Sequence, residues 1–207
     1  MTAKAEAKAE TKGDRTRARL TAATATLLQR QGYHGTGLAE IVAESGAPRG
    51  SLYFYFPGGK EELACAALRG SGDEWRRRLE TVIDEQPDLG QAITAVCAEL
   101  AVELASSDFA HGCPLATVAL EASVTSDAVR ATVAAHYTGW IDAISARLLV
   151  HGFGAEAARS LAGFTLAAIE GGLLLAKVSR SIAPLREVGE TLRLMVSSLP
   201  GPTNRVA

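Results

Sequence analysis

The chain has 207 residues, 47% of them hydrophobic and 21% charged, with a formal net charge of −2. That much apolar residue can bury one large core or two small ones, which excludes disorder over most of the length. Thirty-eight alanines beside only 5% aromatics favour helix over sheet, so the expected fold class is all-α.

The charge is unevenly spread. Residues 1–60 carry nine Lys/Arg and five Asp/Glu; residues 61–207 carry twelve and eighteen. A basic front and an acidic rear point to a polyanion meeting only the N-terminal end. Cys65, Cys97 and Cys113 are odd in number and widely spaced, which is no disulfide framework. The N-terminal stretch interleaves Lys and Glu with Ala and lacks the apolar run of a signal peptide. The longest apolar stretch, residues 161–176, falls short of the roughly 20 residues of a membrane span, and Glu170 interrupts it. The expectation is a cytoplasmic protein without a membrane partner.

In chain order, residues 1–13 read as a flexible tail of low complexity, with Lys4, Lys8 and Lys12 balanced by Glu6 and Glu10. Leu20, Ala23, Leu27 and Leu28 predict a helix over residues 14–31, stopped by Gly32. Gly37 with Glu40 marks a second helix start, and Leu38, Ile41 and Val42 give that helix one apolar face. Ser45-Gly46-Ala47-Pro48 breaks the chain. Leu52, Tyr53 and Phe56 then follow at helical spacing, up to Pro57-Gly58-Gly59. Two short helices across a tight Gly-containing turn describe a helix-turn-helix. Beyond Lys60, Ala/Leu-rich segments predict helices over 60–84, 89–107, 113–123, 126–151, 155–180 and 185–199. The expected domains are a helix-turn-helix head over 14–60, a helical body over 61–200 and a second flexible tail over 201–207.

The segment GYHGTGLAEIVAESGAPRGSLYFYFPGGKEEL resembles the DNA-binding signature of TetR-family transcriptional regulators. Gly32-Tyr33, Thr36, Ile41, the Ser45-Gly46 turn, Arg49-Gly50, Leu52-Tyr53, Tyr55-Phe56 and Lys60 occur in family order. The resemblance is strong over residues 15–65 and holds only in outline beyond. Gly58-Gly59 and HGCPLATVALE are similar to the LmrA/YxaF-like subgroup of drug-sensing repressors. Two departures stand out. Pro48 sits where much of the family has a capping Ser, so it offers no hydroxyl to a phosphate. The extra Gly before Lys60 lengthens the turn and alters that lysine's reach.

The resemblance implies a recognition helix laid in the major groove, where each base pair shows its own donor and acceptor pattern. Arg49, Gly50 and Ser51 would be its exposed early residues: Arg49 would pair with guanine or grip a phosphate, and Gly50 would let the backbone approach. Tyr53 and Tyr55 would touch sugar-phosphate and thymine methyls, while Thr36 and Lys60 would take phosphates. Phe56 follows the apolar face and is expected in the core.

In the body, Ser160, Gly163, Ala167 and Gly171 form a small-residue stripe. Leu185, Val188, Leu192, Met195 and Leu199 form an apolar one. Both stripes could serve the chain's own core; the resemblance implies a homodimer interface. It likewise implies a small-molecule effector site, for which the candidates are Trp75, Cys97, Leu100, Leu104, Cys113, Thr117, Leu120, Glu121, Trp140, Phe164 and Glu170. A carboxylate inside LAAIEGGLLLA must find a partner or stay protonated, so Glu170 is either structural or a ligand contact.

Catalytic signals are weak. Pro57-Gly58-Gly59-Lys60 lacks the first glycine of a phosphate loop, and Glu61 follows where Ser or Thr is needed. His111 and Cys113 have neither metal-ligand company nor a third orienting group. The expectation is no catalytic residue, metal or cofactor. The partners expected are a palindromic double-stranded operator, an apolar or aromatic effector and a second copy of the chain. The rival readings are a ligand-independent or activating DNA-binding regulator of the same fold, and a small helical enzyme using Cys113 and His111.

Overall fold

The computed structural model describes residues 11–198, and every regular element among them is an α-helix. The expected tails, apart from Thr11, Lys12 and Gly13, lie outside the described residues, as does Leu199. The elements are α1 (Lys12–Gly35), α2 (Leu38–Ser45), α3 (Ser51–Tyr55), α4 (Gly59–Asp84), α5 (Leu89–Ser106), α6 (Pro114–Ala122), α7 (Asp127–Val150), α8 (Ala155–Ser179) and α9 (Ala183–Ser198).

Local chemistry sets the boundaries. Thr11 and Asp14 form a reciprocal capping box, so α1 starts two residues earlier than the apolar pattern predicts. Gly32 does interrupt α1, with φ 73°, but a further turn follows to Gly35. Gly46 ends α2 in the left-handed region at φ 58°, where a side chain would be strained. Asp88 and Ser126 accept the Gln91 and Val129 N–H groups and so cap α5 and α7. Pro114 opens α6, where its missing N–H costs nothing.

Helices α1 to α3 form a head around Leu20, Leu27, Ile41, Leu52, Phe56 and Leu63. Phe56 is fully buried, as its spacing predicts. Helix α4 carries Leu63 into this core, and Ala64 and Leu68 into a second one with Leu28, Leu115, Val118 and Val129. The head is therefore fastened to the body through α1, α4 and α6. Ion pairs add to the fastening of α4: Arg78 reaches Glu99 and Glu103 on α5, and Asp84 pairs with Arg147 on α7. By length and composition, α5 and α8 are long and apolar enough to cross a membrane. Here α8 packs against α7 and α9 and carries Glu170 in mid-helix.

Helix α9 corrects one expectation. Leu185 and Leu192 are buried within the chain, at 0% and 1% exposure. Val188 packs on Gly172 of α8, 3.1 Å from the position its Cβ would take. Leu185, Val188 and Leu192 therefore seal α9 onto α5 and α8, because spacing reveals an apolar face but not what covers it. Leu192→Ala is accordingly expected to cost about 2–5 kcal/mol of unfolding free energy. Denaturant titration checks this; a loss under about 0.5 kcal/mol, as for a surface site, would contradict the burial.

Candidate functional site

The head presents a short reading helix. The Ser51 N–H donates to the Pro48 carbonyl at 2.9 Å, so Pro48, Arg49 and Gly50 form the turn that leads into α3. Leu52 and Phe56 point inward. Arg49 and Gly50 are exposed, as are Tyr53 at 62% and Phe54 at 78%. Phe54 was not among the expected contacts. Its signal in the sequence was an aromatic ring out of phase with the Leu52 and Phe56 face. Ser51 is half-buried and its hydroxyl donates to the Pro48 carbonyl at 2.6 Å. Tyr55 is half-buried beneath Phe54 in an edge-to-face contact, with its hydroxyl 3.1 Å from the position a Cβ on Gly13 would take.

Thr36 is a correction. It is 1% exposed, and its hydroxyl donates to the Gly32 carbonyl at 2.7 Å, so it holds the α1 kink instead of offering itself to a phosphate. The Lys60 ammonium stands over the Tyr33 ring, 4.5 Å from its centroid. Burial lowers its pKa, while the Glu121 carboxylate nearby favours its charged form.

A cavity of about 170 Å³ lies in the body, walled by α4, α5, α7 and α8 and closed by the start of α6. Trp75, Leu100, Leu104, Cys113, Trp140 and Glu170 line it, as expected, with Leu79, Ile93, Ile144 and Ile169 making the wall more apolar. His111 also faces it. Trp140 Nε1 and Glu170 Oε2 are both shielded from solvent with no hydrogen-bond partner among the described residues. The Cys113 thiol lies beside the Glu170 carboxyl, and Cys113 and Tyr137 pack against the same core cluster. Burial raises Cys113 and Tyr137 well above their ordinary values, so neither is primed to ionise. Among the described residues no group of His, Cys, Asp and Glu is arranged to hold a metal.

Five expected lining residues lie elsewhere. Cys97 is buried on the face of α5 that meets α9, with its Cβ 3.0 Å from the position a Cβ on Gly189 would take. Burial lifts its thiol to about 11. The Thr117 hydroxyl closes back on the Cys113 carbonyl. Leu120 is 84% exposed and Phe164 52% exposed. The Glu121 carboxylate accepts the His34 backbone N–H. These residues share helices with the true lining but sit on other faces.

Burial also raises Glu170 above its ordinary value, opposed in part by the Cys113 thiol. The folded state then holds this proton more tightly than the unfolded one. Its stabilising contribution is full below the unfolded value near 4.5 and is lost as pH rises through the folded value. Glu170→Gln should therefore melt higher than wild type at neutral pH, with the advantage vanishing in acid. Calorimetry across that range checks this; an advantage independent of pH would contradict it.

Along α8, Ser160 and Ala167 are exposed, and nothing lies within 4 Å of a Cβ built on Gly163 or Gly171. Phe164, Leu174 and Val178 continue the stripe at 52%, 59% and 76% exposure, with Leu194 of α9 at 54%.

The description "Bacterial regulatory proteins, tetR family" matches residues 20–67, and "Transcriptional regulator LmrA/YxaF-like, C-terminal domain" matches residues 90–191. An HTH-type transcriptional regulator of Mycobacterium tuberculosis is 34% identical over 190 residues, 89% of this chain and 96% of that one. The HTH-type transcriptional regulator LmrA of Bacillus subtilis is 32% identical over 176 residues, covering 85% and 94%. The chain belongs to the TetR family of transcriptional regulators. A solved TetR transcriptional regulator of Chloroflexus aurantiacus superposes with a TM-score of 0.79 at 26% identity, over 92% of this chain and 98% of that one. In this TetR-family regulator the TetR-type match spans α2 and α3, and the LmrA/YxaF-like match spans α6, α7 and α8 with most of α5 and part of α9.

Proposed function

We propose that the protein is a homodimeric repressor that binds a palindromic operator and lets go when an apolar or aromatic effector enters the body cavity. The observation that carries this reading is the cavity itself. It is apolar, Trp140 and Glu170 stand in its wall, and α4 runs from that wall to the head. A ligand favouring a different placement of α4 would change the spacing of the two heads. The uncovered apolar stripe on α8 supports a second copy of the chain. Arg49, Gly50, Tyr53 and Phe54 form the face turned to the bases, and Lys60 stands behind them near the backbone. In this reading the head takes residues 14–60 and the body residues 61–200.

Selection of bound duplexes from a random pool tests the operator. The expected result is a two-fold repeat with half-sites about 34–36 Å apart, or a multiple of that distance. A single unrepeated site would count against the dimer. The cavity favours this reading over a ligand-independent regulator. The raised Cys113 thiol disfavours an enzyme built on Cys113 and His111, since a nucleophile needs the opposite shift. A regulator of this kind works where DNA is, in the cytoplasm.

A further inference from the structure

Polar contacts between head and body converge on one corner of α1. Glu121, on the last turn of α6, accepts the His34 backbone N–H through Oε2 at 2.8 Å, and the His34 ring Nε2 lies 3.2 Å from the Glu121 carbonyl oxygen. The same carboxylate occupies the space above Gly32, where a Cβ would lie 2.0 Å from Oε1. Gly32 is the kink in α1, and it interrupts the regular helical ladder just before His34. Glu121 is also the charged neighbour that favours the ammonium of Lys60 beside Tyr33. At the opposite end of α6, Cys113 to Leu115 line the cavity, and Gln29 of α1 donates to the Gly112 carbonyl at 3.1 Å. Helix α6 is nine residues long, a strut of about 13 Å from cavity wall to head.

We propose that Glu121 is a positioning residue for DNA binding: its carboxylate clasps the Gly32–His34 corner of α1 and fixes the angle at which the body presents the reading helix. The glycine is what makes the clasp close. Any side chain at position 32 would be strained at this φ and would displace the carboxylate. The clasp concerns DNA binding itself and holds whether or not the cavity takes an effector. If it does, α6 is a second connection beside α4 through which the cavity reaches the head.

The probes are a duplex selected by the wild-type protein from a random pool and a scrambled duplex of equal length. Glu121→Ala is expected to weaken the selected duplex by about tenfold, the order set by one hydrogen bond to a charged group, and to leave the scrambled one unchanged. The basic groups remain and only their presentation is lost. Glu121→Gln keeps an oxygen acceptor for the His34 N–H and should restore most of the affinity. Gly32→Ala should weaken the selected duplex too. Its penalty should be smaller in the Glu121→Ala background, where the close contact is gone. Unchanged affinity in Glu121→Ala would overturn the proposal. So would an equal loss on both duplexes, which signals only fewer folded molecules. A Gln variant as defective as the Ala one, or independent effects of the two substitutions, would overturn it as well.

Discussion

Arg49→Ala is expected to abolish specific operator binding while the protein stays folded. Arg49 is exposed in the turn that opens α3, between Pro48 and Gly50. A guanidinium there can give two parallel N–H donors to guanine, a pair worth about 1–3 kcal/mol. The proposed dimer uses two half-sites, so the loss doubles to about 2–6 kcal/mol. An exposed residue of this kind contributes little to stability, within about 0.5 kcal/mol, so the melting temperature should hold. A gel shift on the selected operator measures the effect. Undiminished affinity would remove Arg49 from the reading face and leave Tyr53 and Phe54 to carry it.

Leu174→Glu is expected to give folded monomers. Leu174 is 59% exposed and follows Phe164, Ala167 and Gly171 at three- and four-residue steps along α8. Its removal opens no cavity within the chain, so the monomer should keep its helicity. In a dimer the same position would lie in an apolar seam, where an unpaired carboxylate is costly. Monomers lose the two-fold match to the operator. Affinity should then fall toward the non-specific level, about 10³-fold or more below specific binding. Sedimentation settles the mass, and an intact dimer would move the interface off α8. The contrast with Leu192 is sharp: that residue is 1% exposed, so a charge there would unfold the chain before it could report on a dimer.

The helices were legible because their ends are written in local chemistry. Asp88, Ser126, Gly46 and Pro114 cap or break at the positions their residue types favour. The reading head was legible for the same reason, as a Gly turn between two apolar faces. What stayed hidden depended on distant neighbours. Glu121 meets His34 across 87 positions of sequence, a contact that periodicity within α6 cannot show. Thr36 turned inward because Gly32, four residues earlier, leaves a carbonyl for it. Phe164 and Leu185 exchanged expected places: the aromatic expected in the cavity faces outward on α8, and the leucine expected at a partner is buried inside. Sequence spacing marks an apolar face, but only packing decides whether a cavity, a core or a second subunit covers it.

In the proposed repressor the cavity controls the head. Trp75 and Trp140 both line the cavity, so an occupant can be followed by tryptophan fluorescence. The decisive measurement is operator affinity with the cavity saturated by an aromatic compound that quenches these residues. Coupling of the usual size, about 1–3 kcal/mol, predicts operator binding weakened roughly 5- to 150-fold. Linkage requires the operator-bound protein to bind the compound more weakly by the same factor. A compound that saturates the cavity and leaves operator affinity unchanged would contradict the account.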